Sequence, residues 1–313
     1  MAFGKRSAVL RGVVVGTAVA LAAAVAGGTA FADGGSADAA AAKAAASQRG
    51  GHQAGQPAAR ALASVETPTF PLYGVNKKNS SLDLFFANGT GGFQPAYNID
   101  LDYSYLTDFI DVDNDKDGDA EASWVVYKDG KLRYGWSDDQ GQYQSKQVGT
   151  GYQIYGSTML SPGNLGGGTS ADLLGVDKAG VLYEYLAYPD GRVTSRVKIG
   201  AGWGQYTQIA GQGDLTGDGK ADIVARDGSG VLWLYRGTGN YAAPFAARTK
   251  IGAGWNTYNR LVSVGDLTGD GKTDLVARKS NGDLYRYTGT GSAAAPFNKP
   301  VKIGSGFQAY NLL

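Results

Sequence analysis

Two nearly identical runs of oxygen-bearing residues recur in this sequence. The nine residues from Asp214 to Asp222 return 52 residues later, almost unchanged, from Asp266 to Asp274. Each run has carboxylate or hydroxyl oxygens at positions 1, 3, 5 and 9 and a glycine at position 6. Calcium prefers oxygen ligands, and a glycine permits the sharp turn by which a loop wraps around the ion. The pattern predicts two calcium-binding loops.

The same frame extends towards the N-terminus. The run from Asp113 to Glu121 begins 101 residues before Asp214, which is about two periods, and carries carboxylates at positions 1, 3, 5 and 9. The run from Asn164 to Asp172 lacks oxygen side chains at positions 3 and 5, so we expect it to keep the turn without an ion. Position 7 would contribute its backbone carbonyl. The predicted calcium ligands are Asp113, Asp115, Asp117, Asp119, Glu121, Asp214, Thr216, Asp218, Lys220, Asp222, Asp266, Thr268, Asp270, Lys272 and Asp274.

The remainder of each period predicts the elements that position these loops. A Gly-x-Leu-aromatic segment recurs at Gly180, Gly230 and Gly282, and short runs of β-branched and aromatic residues are separated by glycines. About four such runs occur in each period without helical periodicity, which indicates antiparallel strands. A four-stranded unit of about 50 residues has the size of a propeller blade. We expect an all-β, five-bladed propeller over residues 69–313, with repeat units near 69–112, 113–163, 164–213, 214–265 and 266–313.

The two ends of this region predict how the ring closes. The chain stops at Leu313, just before a further loop would begin, and the first repeat starts midway through a unit near Phe70. The two partial units complement each other, so N- and C-terminal strands should pair and leave no open sheet edge. We expect a bound ion to be structural and to fix the turn between blades.

The N-terminal residues indicate export. Residues 1–32 contain basic Lys5, Arg6 and Arg11, then an apolar stretch and a small-x-small motif ending at Ala32, which is typical of a cleaved secretory signal. The alternative is a membrane anchor, but the apolar stretch is shorter than the roughly 20 residues of a spanning helix. Residues 33–68 are rich in Ala, Gly and Ser, and we interpret them as a disordered spacer.

Composition limits the possible functions. Removal of the signal leaves 26 basic and 28 acidic groups, without a basic stripe for nucleic acid or a membrane surface. There is no cysteine, and the single histidine, His52, falls in the spacer. Catalysis by Ser-His-Asp or Cys-His groups is therefore excluded from the propeller. Glycoside hydrolysis by two carboxylates remains an alternative, although the remaining acids show no paired spacing: Asp83, Asp100, Asp102, Asp108, Asp138, Asp139, Glu184 and Asp190.

Four aromatic residues occupy one place in the repeat, after a Gly-x-Gly motif: Tyr152, Trp203, Trp255 and Phe307. Two interpretations are open for them. They either stack on the sugar rings of a ligand or fill the gaps between neighbouring blades, and repetition is expected in both cases. Trp233 lies within a predicted strand and is a candidate for the core.

The loop motif, with Ile223 to Arg226 or Leu275 to Arg278 after it, resembles the FG-GAP or VCBS repeat family, whose best-known relatives are the integrin α-subunit propellers. The Gly-x-Leu-Tyr elements are similar to those of five-bladed tachylectin-type lectins. In two loops threonine stands at position 3, where the family commonly has Asp or Asn. The signal, the spacer and the lack of cysteine are similar to secreted actinobacterial proteins. The resemblance implies a calcium-loop propeller with a binding function.

The sequence favours a secreted, monomeric, calcium-stabilised binding module for an extracellular polysaccharide or protein, rather than an enzyme. We expect no nucleic-acid partner and no membrane association after signal cleavage. The alternative is a lectin or a carboxylate-based glycoside hydrolase acting at the propeller surface.

Overall fold

The computed structural model of this protein describes residues 67–138, 140 and 142–313. These residues form 20 β-strands in five antiparallel sheets of four strands each, together with four single-turn 3₁₀ helices. The prediction of an all-β, five-bladed propeller is confirmed. The predicted signal of residues 1–32 and nearly all of the predicted spacer lie outside the described residues.

Each blade is one of the five sheets, and we number the blades in chain order. Blade 1 contains β1 (Leu72–Asn76), β2 (Leu82–Phe85), β3 (Tyr97–Ile99) and the last strand, β20 (Tyr310–Leu312). Blade 2 contains β4 (Leu106–Val112), β5 (Ala122–Tyr127), β6 (Leu132–Ser137) and β7 (Tyr143–Gly149). Blade 3 contains β8 (Met159–Gly163), β9 (Asp172–Val176), β10 (Leu182–Tyr185) and β11 (Val197–Gly200).

The last two blades follow the same order. Blade 4 contains β12 (Tyr206–Ala210), β13 (Ile223–Asp227), β14 (Leu232–Tyr235) and β15 (Thr249–Gly252). Blade 5 contains β16 (Tyr258–Gly265), β17 (Asp274–Lys279), β18 (Leu284–Tyr287) and β19 (Val301–Gly304). The four 3₁₀ turns precede the first strand of a blade or the segment leading to it, at Tyr152–Ile154, Trp203–Gln205, Trp255–Thr257 and Phe307–Ala309.

Blade 1 joins the two ends of the propeller region. Strand β20 pairs antiparallel with β1, with Gly74 opposite Leu312 and Asn76 opposite Tyr310. The Leu313 backbone N–H also donates to the Tyr73 carbonyl at 3.1 Å. The predicted closure by terminal strands is thus confirmed.

Each of the four segments that contain a 3₁₀ turn connects one blade to the next, has a buried aromatic residue and a glycine, and contacts a second glycine in a hairpin. The residue before each 3₁₀ turn is Gly151, Gly202, Gly254 or Gly306, with φ between 85° and 90°. A side chain with a Cβ is strained in this left-handed region, which explains the glycine of the motif. The backbone N–H of the aromatic residue donates to a hairpin glycine; for example, Trp255 donates to the Gly230 carbonyl at 2.9 Å. The repeated motif therefore docks one blade connection against a hairpin.

The predicted calcium loops join the first and second strands of one blade. The loop from Asp113 lies between β4 and β5, the loop from Asp214 between β12 and β13, and the loop from Asp266 between β16 and β17. The expectation that these loops form turns between blades is wrong, because the propeller closure shifts the repeat units relative to the blades. The loops nevertheless contact a neighbouring blade, as when Thr273 Oγ1 in blade 5 donates to the Gln212 carbonyl in blade 4 at 2.7 Å.

Candidate functional site

The loop of blade 2 concentrates negative charge. Carboxylate oxygens of Asp113, Asp115, Asp117 and Glu121 lie within 4.8 Å of one another. Calcium binds oxygen at about 2.3–2.6 Å, so two ligands of one ion are separated by at most roughly 5 Å. Within the described part of the chain, this is the one group of three or more such side chains close enough to hold a metal ion. Its spacing and donor type fit calcium.

The pKa values in this loop reflect the crowding of carboxylates. Partial removal from solvent raises the pKa of Asp113 to about 6, and the charges of Asp117 and Asp115 add to this effect. Partial removal from solvent and the charges of Asp113 and Asp115 raise the pKa of Glu121 to about 8. A divalent cation stabilises the ionised forms of such groups. The cluster therefore has the electrostatic character of a cation site.

Position 1 of the frame organises all three loops in the same way. The Asp113 carboxylate accepts from the backbone N–H groups of Lys116 and Gly118 at 2.6 and 3.1 Å. In blade 5, the Asp266 carboxylate accepts from Gly269 and Gly271 at 2.7 and 2.6 Å. Asp214 makes the corresponding bonds in blade 4. The loop fold is thus shared.

Position 9 has two different environments. Asp222 and Asp274 are fully buried, and their carboxylates bind backbone N–H groups on two sides. Asp274 Oδ2 accepts from Leu267 at 3.1 Å, and Oδ1 accepts from Gly289, in the segment after β18, at 2.8 Å. Burial raises the pKa of Asp274 to about 6. In blades 4 and 5, position 9 therefore connects the loop to the following hairpin.

Blade 3 shows that this connection does not require an ion. Asp172, at position 9, is 2% exposed and accepts from the backbone of Leu165 at 2.9 Å and of Ala187 at 3.2 Å. This loop has glycines at positions 3 and 5. The aspartate at position 9 is explained by the fold alone, whereas sequence reasoning assigned the same position in other loops to calcium.

The four aromatic residues that sequence analysis singled out are buried. Tyr152, Trp203, Trp255 and Phe307 expose 5–8% of their surface. Trp203 packs on Tyr235 with ring centroids 4.6 Å apart, and Trp255 packs on Tyr287 at 4.5 Å. Such exposure leaves little ring surface for a sugar. The geometry favours the packing interpretation.

A different aromatic residue lines a cleft beside the loop of blade 2. This cavity of about 440 Å³ is lined by Asp115 and Glu121 of the loop, by Tyr134 and Trp136 of β6, and by Asp190 of blade 3. Trp136 is half-buried and stacks on Tyr134 with centroids 6.1 Å apart. We call this cavity the loop cleft. The sequence signals Trp136 only as an aromatic residue beyond the repeated Gly-x-Leu segment, so it was not among the predicted ligand residues.

The walls of the loop cleft are held in place by contacts between blades. Trp124 Nε1 donates to the Gly191 carbonyl at 2.9 Å, which fixes the blade 3 segment against blade 2. Lys146 Nζ lies 3.3 Å from Asp190 Oδ2 and 5.8 Å from the centre of the Trp136 ring. The strands β6 and β7 have six and seven residues, whereas the corresponding strands of blades 3, 4 and 5 have four. The cleft is thus a preformed feature of this blade.

Comparison with known proteins identifies the repeat. A model of the family described as FG-GAP-like repeat matches residues 214–277, which include both near-identical loops. This segment is similar to an FG-GAP-like repeat. No curated protein matches the sequence. The loops of blades 4 and 5 lie within the matched segment. The loop of blade 2 lies outside it but has the same nine-residue pattern of oxygen-bearing residues.

Two matching solved structures have low sequence identity and a low TM-score. A mutant of AofleA from Arthrobotrys oligospora is 12% identical with a TM-score of 0.43, and the match covers 79% of this chain and 76% of that chain. A chain from the crystal structure of Kap60 bound to yeast RCC1 (Prp20) is 10% identical with a TM-score of 0.36, over 73% of this chain and 58% of that chain. Neither match supports a functional argument. No helix formed by the described residues is long and apolar enough to span a membrane.

Proposed function

We propose that this protein is a secreted, calcium-stabilised binding module that holds an extracellular polysaccharide in the loop cleft of blade 2. Asp113, Asp115, Asp117 and Glu121 would hold the ion, with the Asp119 carbonyl as a further ligand. A bound calcium ion supplies the positive charge that offsets four crowded carboxylates. The observation that carries the proposal is that two of these four carboxylates, Asp115 and Glu121, also line a cleft with a half-buried tryptophan.

The lining of the loop cleft suits a sugar chain. The Trp136 ring offers an apolar face of the kind that packs on the C–H surface of a sugar. Around it, Lys146, Asp190 and Asn114 provide hydrogen-bond donors and acceptors for hydroxyl groups. A mostly apolar pocket with a few placed polar groups is the usual form of a small-ligand site.

The sequence's lack of cysteine, and of histidine among the described residues, favours binding over catalysis. The sequence has no cysteine, and its one histidine precedes the described residues. Ser-His and Cys-His catalysis is thus unavailable to the propeller. Fold alone does not fix function, so the assignment rests on the cleft and its residues.

A glycan array with the mature protein tests the proposal. We expect binding to one class of polysaccharide in calcium and its reduction by at least tenfold in Trp136→Ala. Trp233→Ala is the matched control, because Trp233 is a half-buried tryptophan in blade 4 that does not line the loop cleft, and it should leave binding unchanged. Equal losses in both variants, or binding to a protein but to no glycan, would contradict the polysaccharide assignment. Turnover of reporter glycosides would support the hydrolase alternative instead.

Secretion has its own test, since it depends on residues 1–32. We expect the protein in the culture medium to begin at Asp33. Recovery of an uncleaved chain in the membrane fraction would support the anchor alternative.

A further inference from the structure

A second cavity of about 440 Å³ lies at the centre of the propeller. It is lined by the first strands of blades 2 to 5, which are β4, β8, β12 and β16. Its volume falls within the range of about 300–1,000 Å³ that is typical of small-molecule sites. One water occupies about 30 Å³ in the liquid. This central cavity is therefore large enough for a small organic molecule.

Two opposite charges face this cavity without pairing with each other. Asp108, on β4, is 3% exposed, and its Oδ2 has no hydrogen-bond partner. Arg260, on β16, has a buried Nε that also lacks a partner. The two groups interact electrostatically, yet they do not form one of the ion pairs found among the described residues. Each charge is consequently left with an unused hydrogen-bonding atom.

Two neighbouring polar groups already have hydrogen-bond partners. The Met159 backbone N–H hydrogen-bonds to the Asp108 carboxyl, and Gln208 Oε1 accepts from the Leu261 backbone N–H at 3.0 Å. Arg278 contributes a second positive charge near Arg260. That charge disfavours a cation and favours an anion beside Arg260, whereas Asp108 favours a hydrogen-bond donor with positive charge.

Leaving such atoms unpaired is unfavourable. A buried atom of a charged group that lacks a hydrogen-bond partner has lost its hydration without a replacement, which disfavours the folded state. Neutral water relieves part of this penalty, but a ligand with a charge of the opposite sign at each end relieves more of it. Buried charges that do not serve stability are a common feature of binding sites.

We propose that the central cavity binds a small zwitterion of the amino-acid type, with its ammonium group at Asp108 Oδ2 and its carboxylate at Arg260 Nε. Free amino acids and short peptides share this chemistry. The site is separate from the loop cleft, because the two cavities share no lining residue. In the sequence, Asp108 is one of the acids without paired spacing, and no motif marks Arg260. Asp108 and Arg260 nevertheless occupy the same place in their blades, because each is the third residue of the first strand. Gln208 is the third residue of the first strand of blade 4.

Thermal unfolding tests the proposal with defined probes. We expect an equimolar mixture of the twenty amino acids, or a mixture of dipeptides, at millimolar concentration to raise the wild-type Tm by several degrees. Acetate and methylammonium, each with one charge, should have no such effect. Which mixture acts distinguishes free amino acids from peptides. The absence of a shift with both mixtures, or an equal shift with acetate alone, would overturn the proposal.

Variants locate the effect. Asp108→Asn keeps an oxygen acceptor for the Met159 N–H, and Arg260→Gln removes the guanidinium; both should abolish the shift. Glu184→Gln is the matched control, since it neutralises a fully buried carboxyl on β10 that does not line the central cavity. It should retain the wild-type shift. A retained shift in Asp108→Asn and Arg260→Gln would place the ligand elsewhere and refute the site.

A measurement without ligand separates binding from folding. If the two charges serve a ligand, the double variant Asp108→Asn/Arg260→Gln should unfold at a temperature equal to or above that of the wild type. A lower Tm would assign both charges to the fold and overturn the proposal. Glycan binding at the loop cleft should persist in this variant, so failure here is distinguishable from failure of the proposed function.

Discussion

Blades 2 and 5 place the same nine-residue frame in different environments. In blade 5, Asp274 is fully buried and accepts hydrogen bonds from both its own loop and the segment after β18. In blade 2, Glu121 is far less buried, accepts from the Asn114 N–H at 2.7 Å and joins three aspartates. The Glu121 side chain is one methylene longer than that of Asp274, and it lines the loop cleft. The comparison shows that a recurring acid can be a structural residue in one repeat and a candidate ligand in another.

The same two loops share a left-handed backbone conformation at position 4 but differ in the residue that adopts it. Blade 5 has Gly269 there, with φ of 73°, and blade 2 has Lys116 at φ of 63°. A residue with a Cβ is disfavoured in this region by roughly 1–2 kcal/mol. Blade 2 thus retains local strain beside its carboxylate cluster, as functional sites often do.

The largest expected effect tests whether the repeated aromatic residues belong to the core. Trp255→Ala should lower the free energy of unfolding by about 3–5 kcal/mol, because it empties a buried, well-packed site between blades. Trp136→Ala, in the loop cleft of blade 2, should cost less than about 1.5 kcal/mol. Urea unfolding followed by circular dichroism measures both. A small loss in Trp255→Ala, accompanied by lost glycan binding, would restore the ligand interpretation of that residue.

The next effect separates the two roles of position 9. Asp274→Ala should cost about 3 kcal/mol in chelator, because it leaves the buried N–H groups of Leu267 and Gly289 without acceptors. Asp270→Ala, at exposed position 5 of the same loop, should change stability by less than about 0.5 kcal/mol under those conditions. Similar losses in the two variants would show that position 9 has no special structural role.

Calcium should distinguish blade 2 from blades 4 and 5. We expect excess calcium to raise the Tm relative to chelator, corresponding to about 2–3 kcal/mol when the ion exceeds its Kd a hundredfold. Asp117→Ala should remove more of this gain than Asp218→Ala, because the loop from Asp113 has four carboxylates and the loop from Asp214 has threonine at position 3. Titration calorimetry provides the affinities. Equal losses of calcium affinity in the two variants would mean that loop geometry matters more than the number of carboxylates. An unchanged wild-type Tm in calcium would contradict stabilisation of the fold by calcium.

The smallest effect concerns the strained position. Lys116→Gly should raise the free energy of unfolding by about 0.5–1 kcal/mol in chelator, because glycine adopts positive φ readily and this gain exceeds its added freedom in the unfolded chain. Gly269→Ala should have the opposite sign. Destabilisation by Lys116→Gly would indicate that the lysine side chain makes a compensating contribution.

The sequence by itself determined the period, the number of blades, the closure and the shape of the loops, because each depends on a local pattern that recurs. Three local features determine these properties: a glycine at positive φ, an aspartate that caps its own loop, and a strand of β-branched residues. Each depends on residues only a few positions apart. One repeat is therefore enough to predict them, and the other four repeats support the prediction. The position of each loop within a blade was not determined, since closure by β20 shifts the blades relative to the repeats.

Only the tertiary structure decided which acids are buried and which groups meet. Asp274 becomes a structural acceptor because the segment carrying Gly289 returns to it, and Trp255 becomes a core residue because Tyr287 packs on it. Asp108 and Arg260 are 152 residues apart in the chain and meet across the central cavity only when the ring closes. Burial and electrostatic pairing depend on distance in space, and the ring sets that distance for residues that no local pattern connects.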